Sequence, residues 1–153
     1  MSLFADRDAL QSALAALNDV EVARVSLDLP LRANLSALDN IALIPLYQRH
    51  IKAVEAGRQA MVLLDQLDHT SIAQLRDPDM TASQRFVTQL ARALVLQRSR
   101  LIVDRPGAML YDVAYPAFIK QLAARVPSGT WEIFDYQWNQ CLHFEERPTT
   151  PDA

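Results

Sequence analysis

Residues 80–110 read MTASQRFVTQLARALVLQRSRLIVDRPGAML, and this run decides the fold. Its first half places Phe86, Leu90, Ala93 and Leu94 at steps of three and four, the spacing of one helix face. Thr81 or Ser83 can accept hydrogen bonds from the first-turn amides, so a helix is expected from there to about Gln97. Leu101-Ile102-Val103 is short and wholly apolar, as in a parallel strand buried on both faces, and it stops at Asp104. A helix followed by a buried strand points to an α/β domain with a largely parallel sheet.

The flanking sequence extends that pattern. Upstream, Leu10, Leu14 and Leu17 mark a helix over Asp8 to Leu17, ended by Asn18-Asp19. Alternating Val20, Val22, Val25, Leu27 and Leu29 predict a strand that Pro30 stops. Ser36 is a plausible cap for a helix carrying Leu38, Ile41 and Ala42, and Pro45 is expected to interrupt it. Ile51 to Leu67 reads as a long amphipathic helix, and Arg76 to Asp79 as a loop. Downstream, Pro116 sits near the start of a helix through Ile119 and Leu122, closed by Pro127-Ser128-Gly129. Trp131 to Tyr136 and Cys141 to Phe144 predict two strands, joined by a possible turn at Trp138-Asn139-Gln140.

Composition narrows the function classes. The chain has 153 residues, half of them apolar, and a net charge of -3. That balance fits one globular domain and argues against nucleic-acid binding, which needs a basic face. No window of about 18 apolar residues lacks a charge, so no membrane insertion is expected. Met1-Ser2-Leu3-Phe4 runs straight into charge and does not read as a signal peptide. Cys141 is the single cysteine, which suits a reducing compartment and a cytoplasmic location.

The order of motifs resembles the ATP-binding-cassette (ABC) ATPase family. Met80-Thr81-Ala82-Ser83-Gln84 falls on the family's Leu-Ser-Gly-Gly-Gln signature. Ala91-Arg92-Ala93-Leu94 follows at the family spacing, and Leu101-Ile102-Val103-Asp104-Arg105-Pro106 falls on Walker B. Asn34 to Leu43 (NLSALDNIAL) resembles the segment that opens the family's helical subdomain. The resemblance covers roughly residues 30–136. It implies a partial P-loop NTPase core with a mostly parallel sheet plus a helical subdomain at about 36–96. The expected organisation is one domain over 1–146, with 100–146 holding the Walker B strand and the C-terminal part of the core, and a flexible tail at 147–153.

Against that family the chemistry is thin. ATP binding there uses a Gly-rich loop whose amides cradle phosphate, with a Lys and a Ser or Thr. The glycines are Gly57, Gly107 and Gly129, and no G-x-x-x-x-G-K-[ST] occurs. If the first helix is the one that follows the loop, Phe4 to Ala9 occupy the loop, with Arg7, Asp8 and Ala9 at Lys-Ser-Thr and Asp6 and Asp8 repelling phosphate. Asp104 keeps the magnesium-supporting position, while Arg105 replaces the Glu that polarises water. An Arg cannot serve as base, a loss of about 10²–10⁴-fold. A plainer use for Asp104 is a strand-end carboxylate capping nearby amides. Ala82 and Ser83 replace the signature glycines, and Thr81 keeps a hydroxyl, as in a degraded signature, Thr81 to Gln84. Ser26, Leu27 and Asp28 stand where a Q-loop Gln is expected, Asp135 and Tyr136 at the switch His, and Tyr111 beside Asp112 at the D-loop Asp.

No catalytic residue, cofactor or metal is therefore expected, with ATP, Mg and Asp104 ligation only if the resemblance to active members holds. The resemblance implies a non-catalytic protein acting by contact with an ABC permease, an ABC ATPase subunit or its own copy, peripheral to a membrane through a permease partner. In the family, the helical subdomain docks on permease subunits. The alternatives are a weak ATPase completed in trans by an intact ABC ATPase, with Gln84 contributing, and a self-assembling relic whose sheet edge is covered by a second copy.

Other clusters have plain readings. His50, His69 and His143 share no metal spacing, and Asp65, Asp68 and His69 suit a solvated helix end. Cys141 and His143 would share a strand face as simple packing. Trp131, Phe134, Tyr136, Trp138 and Phe144 suit core packing of a hairpin. Arg92, Arg98, Arg100 and Arg105 suggest either an anion site or, more plainly, ion pairs with the many acids.

Overall fold

A computed structural model describes residues 1–17, 20–126 and 129–139. Its centre is a parallel four-stranded sheet with strand order β1-β4-β3-β2. The strands are β1 (Ser2–Phe4), β2 (Val22–Val25), β3 (Arg100–Asp104) and β4 (Thr130–Tyr136). The helices are α1 (Arg7–Ala15), α2 (Ala37–Gln48), α3 (Ala53–Gln66), α4 (Ala82–Leu94), the short α5 (Pro106–Met109) and α6 (Tyr115–Arg125). Helices cover both faces of the sheet, as parallel crossovers require.

The two-residue period of β3 sorts the core. Ile102 packs with Phe134, Val22, Leu10 and Leu14 beneath α1. Leu101 and Val103 face the other way, into a larger core with Val25, Phe86, Leu90, Ile119 and Leu122. α4 contributes most visibly to that core. Thr81 accepts from the Gln84 amide while the Gln84 side chain returns to the Thr81 amide at 3.0 Å, a reciprocal cap. Phe86, Val87, Leu90, Ala91 and Ala93 are then buried along one stripe.

Several expectations are corrected. The strand expected over Val20 to Leu29 is only Val22–Val25; Leu27 and Leu29 lie in a turn and are exposed. Pro45 does not interrupt its helix. α2 continues to Gln48 because Pro45 is buried and its carbonyl still accepts from the Arg49 amide at 3.1 Å, so packing outweighs the missing donor. The helix expected from Ile51 starts at Ala53, and α4 ends at Leu94 rather than near Gln97. Asp77–Asp79 forms a 3-10 turn instead of an open loop. β1 was not expected at all, and it puts Phe4 in a strand. Gly129 has φ +72, and an added Cβ would stand 2.8 Å from the Ser99 carbonyl oxygen, so this position requires Gly. The turn residues Asn18-Asp19 and Pro127-Ser128, the strand Cys141 to Phe144, residue 140 of the hairpin turn and the tail lie outside the described residues.

Candidate functional site

In open parallel sheets, ligands meet the carboxyl ends of the strands. Here that edge carries Phe4, Ser26, Asp104, Arg105 and Asp135.

Asp104 is fully buried at the end of β3. A buried carboxylate must be paired and hydrogen-bonded, and three donors reach this one. The Ser26 hydroxyl donates to Oδ2 at 2.6 Å, Arg105 Nε donates to Oδ1 at 2.8 Å, and Arg105 Nη2 donates to Oδ2 at 3.0 Å. The plain reading of Asp104 as an amide cap is thus corrected: its partners are a hydroxyl and a guanidinium. Arg105 Nη2 also reaches Asp28 at 3.0 Å. The sequence reading placed Ser26 and Asp28 at the Q-loop and Asp104 and Arg105 in Walker B, and the fold brings the two motifs into one cluster.

The backbone explains how neighbours in sequence form a bidentate pair. Arg105 is left-handed, with φ 50 and ψ 58, at the start of α5. Its amide donates to the Phe134 carbonyl at 2.8 Å, which ties it to β4. The turn folds the guanidinium back over the preceding carboxylate. The hydrogen bond to Asp104 holds the Arg105 guanidinium above its ordinary range despite partial burial. A cation approaching Asp104 must first displace a two-pronged guanidinium.

Asp135 is also fully buried. Its Oδ1 accepts from the Tyr136 amide at 2.8 Å and from Asn139 at 2.9 Å, and Tyr115 Oη lies 3.5 Å from Oδ2. It braces the end of β4. Between β1 and α1 only Ala5 and Asp6 intervene, and the Asp6 carboxylate accepts from the Ala9 amide at 2.9 Å. Arg7, Asp8 and Ala9 form the first turn of α1.

Thr81 to Gln84 lie apart from this edge, at the start of α4. Ser83 donates from both its amide (3.0 Å) and its hydroxyl (2.9 Å) to Asp112, while Thr81 and Gln84 are committed to the reciprocal cap. Sequence reasoning noted Asp112 but missed this tie. Desolvation pushes the Asp112 carboxyl up, but the Ser83 bonds outweigh it and leave the carboxyl below its usual range. A depressed carboxyl stabilises the fold above its unfolded value of about 3.9, and that contribution fades as pH falls through the folded value. Asp112→Asn should therefore destabilise the fold at neutral pH by at most about 1 kcal/mol, for so exposed a pair, and lower the melting temperature slightly. Melts of variant and parent should converge as the pH falls through the folded value; a gap that does not narrow with falling pH removes the Ser83–Asp112 assignment.

Ion pairing accounts for two of the four arginines around β3. Arg105 pairs with Asp104 and Arg100 with Glu132 at 2.8 Å. Arg92 and Arg98 do not follow the ion-pair expectation: Arg92 donates to the carbonyls of Leu29 and Pro30, and Arg98 to that of Val20. Among the aromatics, Phe134 packs on Phe4 with ring centroids 5.1 Å apart, and Tyr136 stacks on Trp138 at 4.2 Å. His69 Nδ1 meets the Leu67 carbonyl at 2.7 Å. Among the described residues there is no group of three metal-ligating side chains and no helix long and apolar enough to cross a membrane.

No family model matches the sequence, and no curated protein does. Solved structures do match. One is a metal-chelate type ABC transporter in an inward-facing conformation, similar with a TM-score of 0.60 and 23% identity over 75% of this chain and 48% of that one. Another is a dimeric ATP-binding cassette in a post-hydrolysis state bound to ADP and phosphate, with a TM-score of 0.60 and 20% identity over 80% of this chain and 58% of that one. The chain therefore spans between 48% and 58% of these structures' lengths. The parallel sheet and its helices have the α/β fold of ABC ATPase domains.

Proposed function

We propose that this chain is an ABC-ATPase-like protein that has lost nucleotide chemistry and acts through contact with another protein. The observation that carries the reading is the Asp104–Arg105 pair. In the Walker B alignment, Arg105 replaces the water-polarising Glu, and its guanidinium sits on both oxygens of the one carboxylate left to support magnesium. The residues present do not fit a Mg-nucleotide. The β1–α1 turn supplies Ala5 and Asp6 where a phosphate cradle would need several amides and a Lys, and Asp6 already occupies one of the α1 amides with a negative group.

The contact half of the reading rests on the α2 face. A cleft of about 700 Å³ opens between α2 and the segment after β2, lined by Leu29, Leu43, Ile44, Tyr47 and Leu96 together with Arg32. Tyr47 is 69% exposed, an aromatic with a polar tip of the kind enriched at interfaces. One of the similar structures is of an ABC transporter in an inward-facing conformation, and a membrane-subunit segment is the occupant this reading assigns to the cleft. Completion of an ATPase site in trans is opposed by Ser83, whose amide and hydroxyl are both spent on Asp112.

Isothermal titration of the chain with Mg-ATP is expected to show no binding in the micromolar range. A micromolar dissociation constant would overturn the proposal, because a seated triphosphate requires Arg105 to have left Asp104.

A further inference from the structure

A second cleft, of about 570 Å³, lies away from the Asp104 edge, where β2 and β3 begin. It is bounded by α3, by the ends of α4 and α6, and by the turn into β3. Its charge runs against that of the whole chain. The protein carries 18 acidic and 15 basic residues, yet among the described residues the lining holds Arg58, Arg98, Arg100 and Arg125 and no Asp or Glu. The floor is apolar, with Val62 and Leu101 among its residues.

The state of those arginines points to a ligand. Arg58, Arg100 and Arg125 pair with Glu55, Glu132 and Asp68, and each pair is partly exposed to water. Pairs this open to water are weak, so a ligand oxyanion can compete for the guanidinium. Arg98 is different. Its Nη1 donates to the Val20 carbonyl at 2.6 Å, while its Nε is buried with no hydrogen-bond partner among the described residues. A buried donor left unmade is costly, and an incoming anionic oxygen would relieve it. The C-termini of α4 and α6 explain part of the positive charge, but a helix end amounts to only about half a negative charge each. Arg98 has no carboxylate partner among the described residues, and the other three guanidinium groups are held only by the exposed pairs above.

We infer that this cleft binds a small organic anion, one with several phosphate or carboxylate oxygens on a compact, partly apolar frame. The volume falls within the roughly 300–1,000 Å³ of small-molecule sites, and planar guanidinium forks match both oxyanion types. The inference stands apart from the nucleotide reading, since no Asp104-edge residue contributes to it.

Thermal-shift and calorimetric titrations of the full chain with inorganic pyrophosphate and with citrate, without magnesium, test it. Saturable binding of either probe in the millimolar range or tighter is expected, and the stronger probe names the oxyanion type. Arg98→Gln should weaken binding about tenfold or more, as for a charge-assisted hydrogen bond. Arg58→Gln, on the exposed side of α3, should weaken it about threefold, and it keeps the test decisive if Arg98→Gln does not fold. Arg7→Gln, exposed in the first turn of α1 at the strand-end edge, should leave binding unchanged. The inference is overturned if neither probe saturates by about 10 mM, or if binding survives both Arg58→Gln and Arg98→Gln. It is also overturned if Arg7→Gln alone abolishes binding, which would move the anion to the strand ends.

Discussion

Replacing Arg105 with alanine is expected to destabilise the fold by about 3–5 kcal/mol, because it strands a buried carboxylate. Asp104 has no exposed surface, and without Arg105 the described donors to it reduce to the Ser26 hydroxyl. The guanidinium is 19% exposed, so some screening remains and the lower end of the range applies. Urea denaturation measures the loss. Two further variants separate charge from backbone. Asp104→Asn in the Arg105→Ala background should recover a large part of the stability, since the amide can stay on Ser26 without a charge to solvate. Arg105→Gly should be milder than Arg105→Ala by about 1 kcal/mol, because residue 105 is left-handed and only Gly adopts that region freely. An Arg105→Ala protein as stable as the parent would show that Asp104 does not depend on this pair.

The second large effect lies in the main core. Phe86→Ala should cost about 3–5 kcal/mol, in the range for truncating a buried aromatic. Phe86 is 1% exposed in the middle of α4, with its ring centroid 6.4 Å from that of Phe118 on α6. Truncation opens a void where α4 meets the α6 layer, and neighbouring backbone cannot close it. Chemical denaturation of Phe86→Ala beside Tyr47→Ala gives the contrast. Tyr47 is exposed, and its removal should stay within about 0.5 kcal/mol. If Phe86→Ala falls in that same band, the α4 packing described above is wrong.

Much of this fold was legible because its decisive segment follows local rules. The α4 stripe, the Thr81 cap and the apolar β3 are each set by spacing and residue type within 80–104. Where the reading failed, the cause was non-local. Leu27 and Leu29 continue the alternation of β2, but the chain turns after Val25 and leaves them in solvent. Ser2–Phe4 has no periodicity of its own and is a strand only because Phe134 to Tyr136 lie beside it. Pro45 stays helical through burial that its neighbours in sequence do not reveal. The candidate site divides the same way. Asp104 and Arg105 were visible as residues, but their pairing depends on a left-handed φ and on a serine 78 positions away. Arg58 and Arg125 gave no sign of sharing a cleft with Arg98 and Arg100, because α3 and α6 meet there only in the folded chain.

The sheet order carries a consequence for synthesis. β1 is bonded to β4, so Ser2 through Phe4 must wait for residues 134–136 to be made before their backbone finds this partner. β2 and β3, joined by the helical run between them, can dock earlier. β1 thus stays unpaired while the intervening residues are made, and from residue 104 until β4 arrives β3 lacks one neighbour, an unpaired ledge open to chaperones or to misassembly.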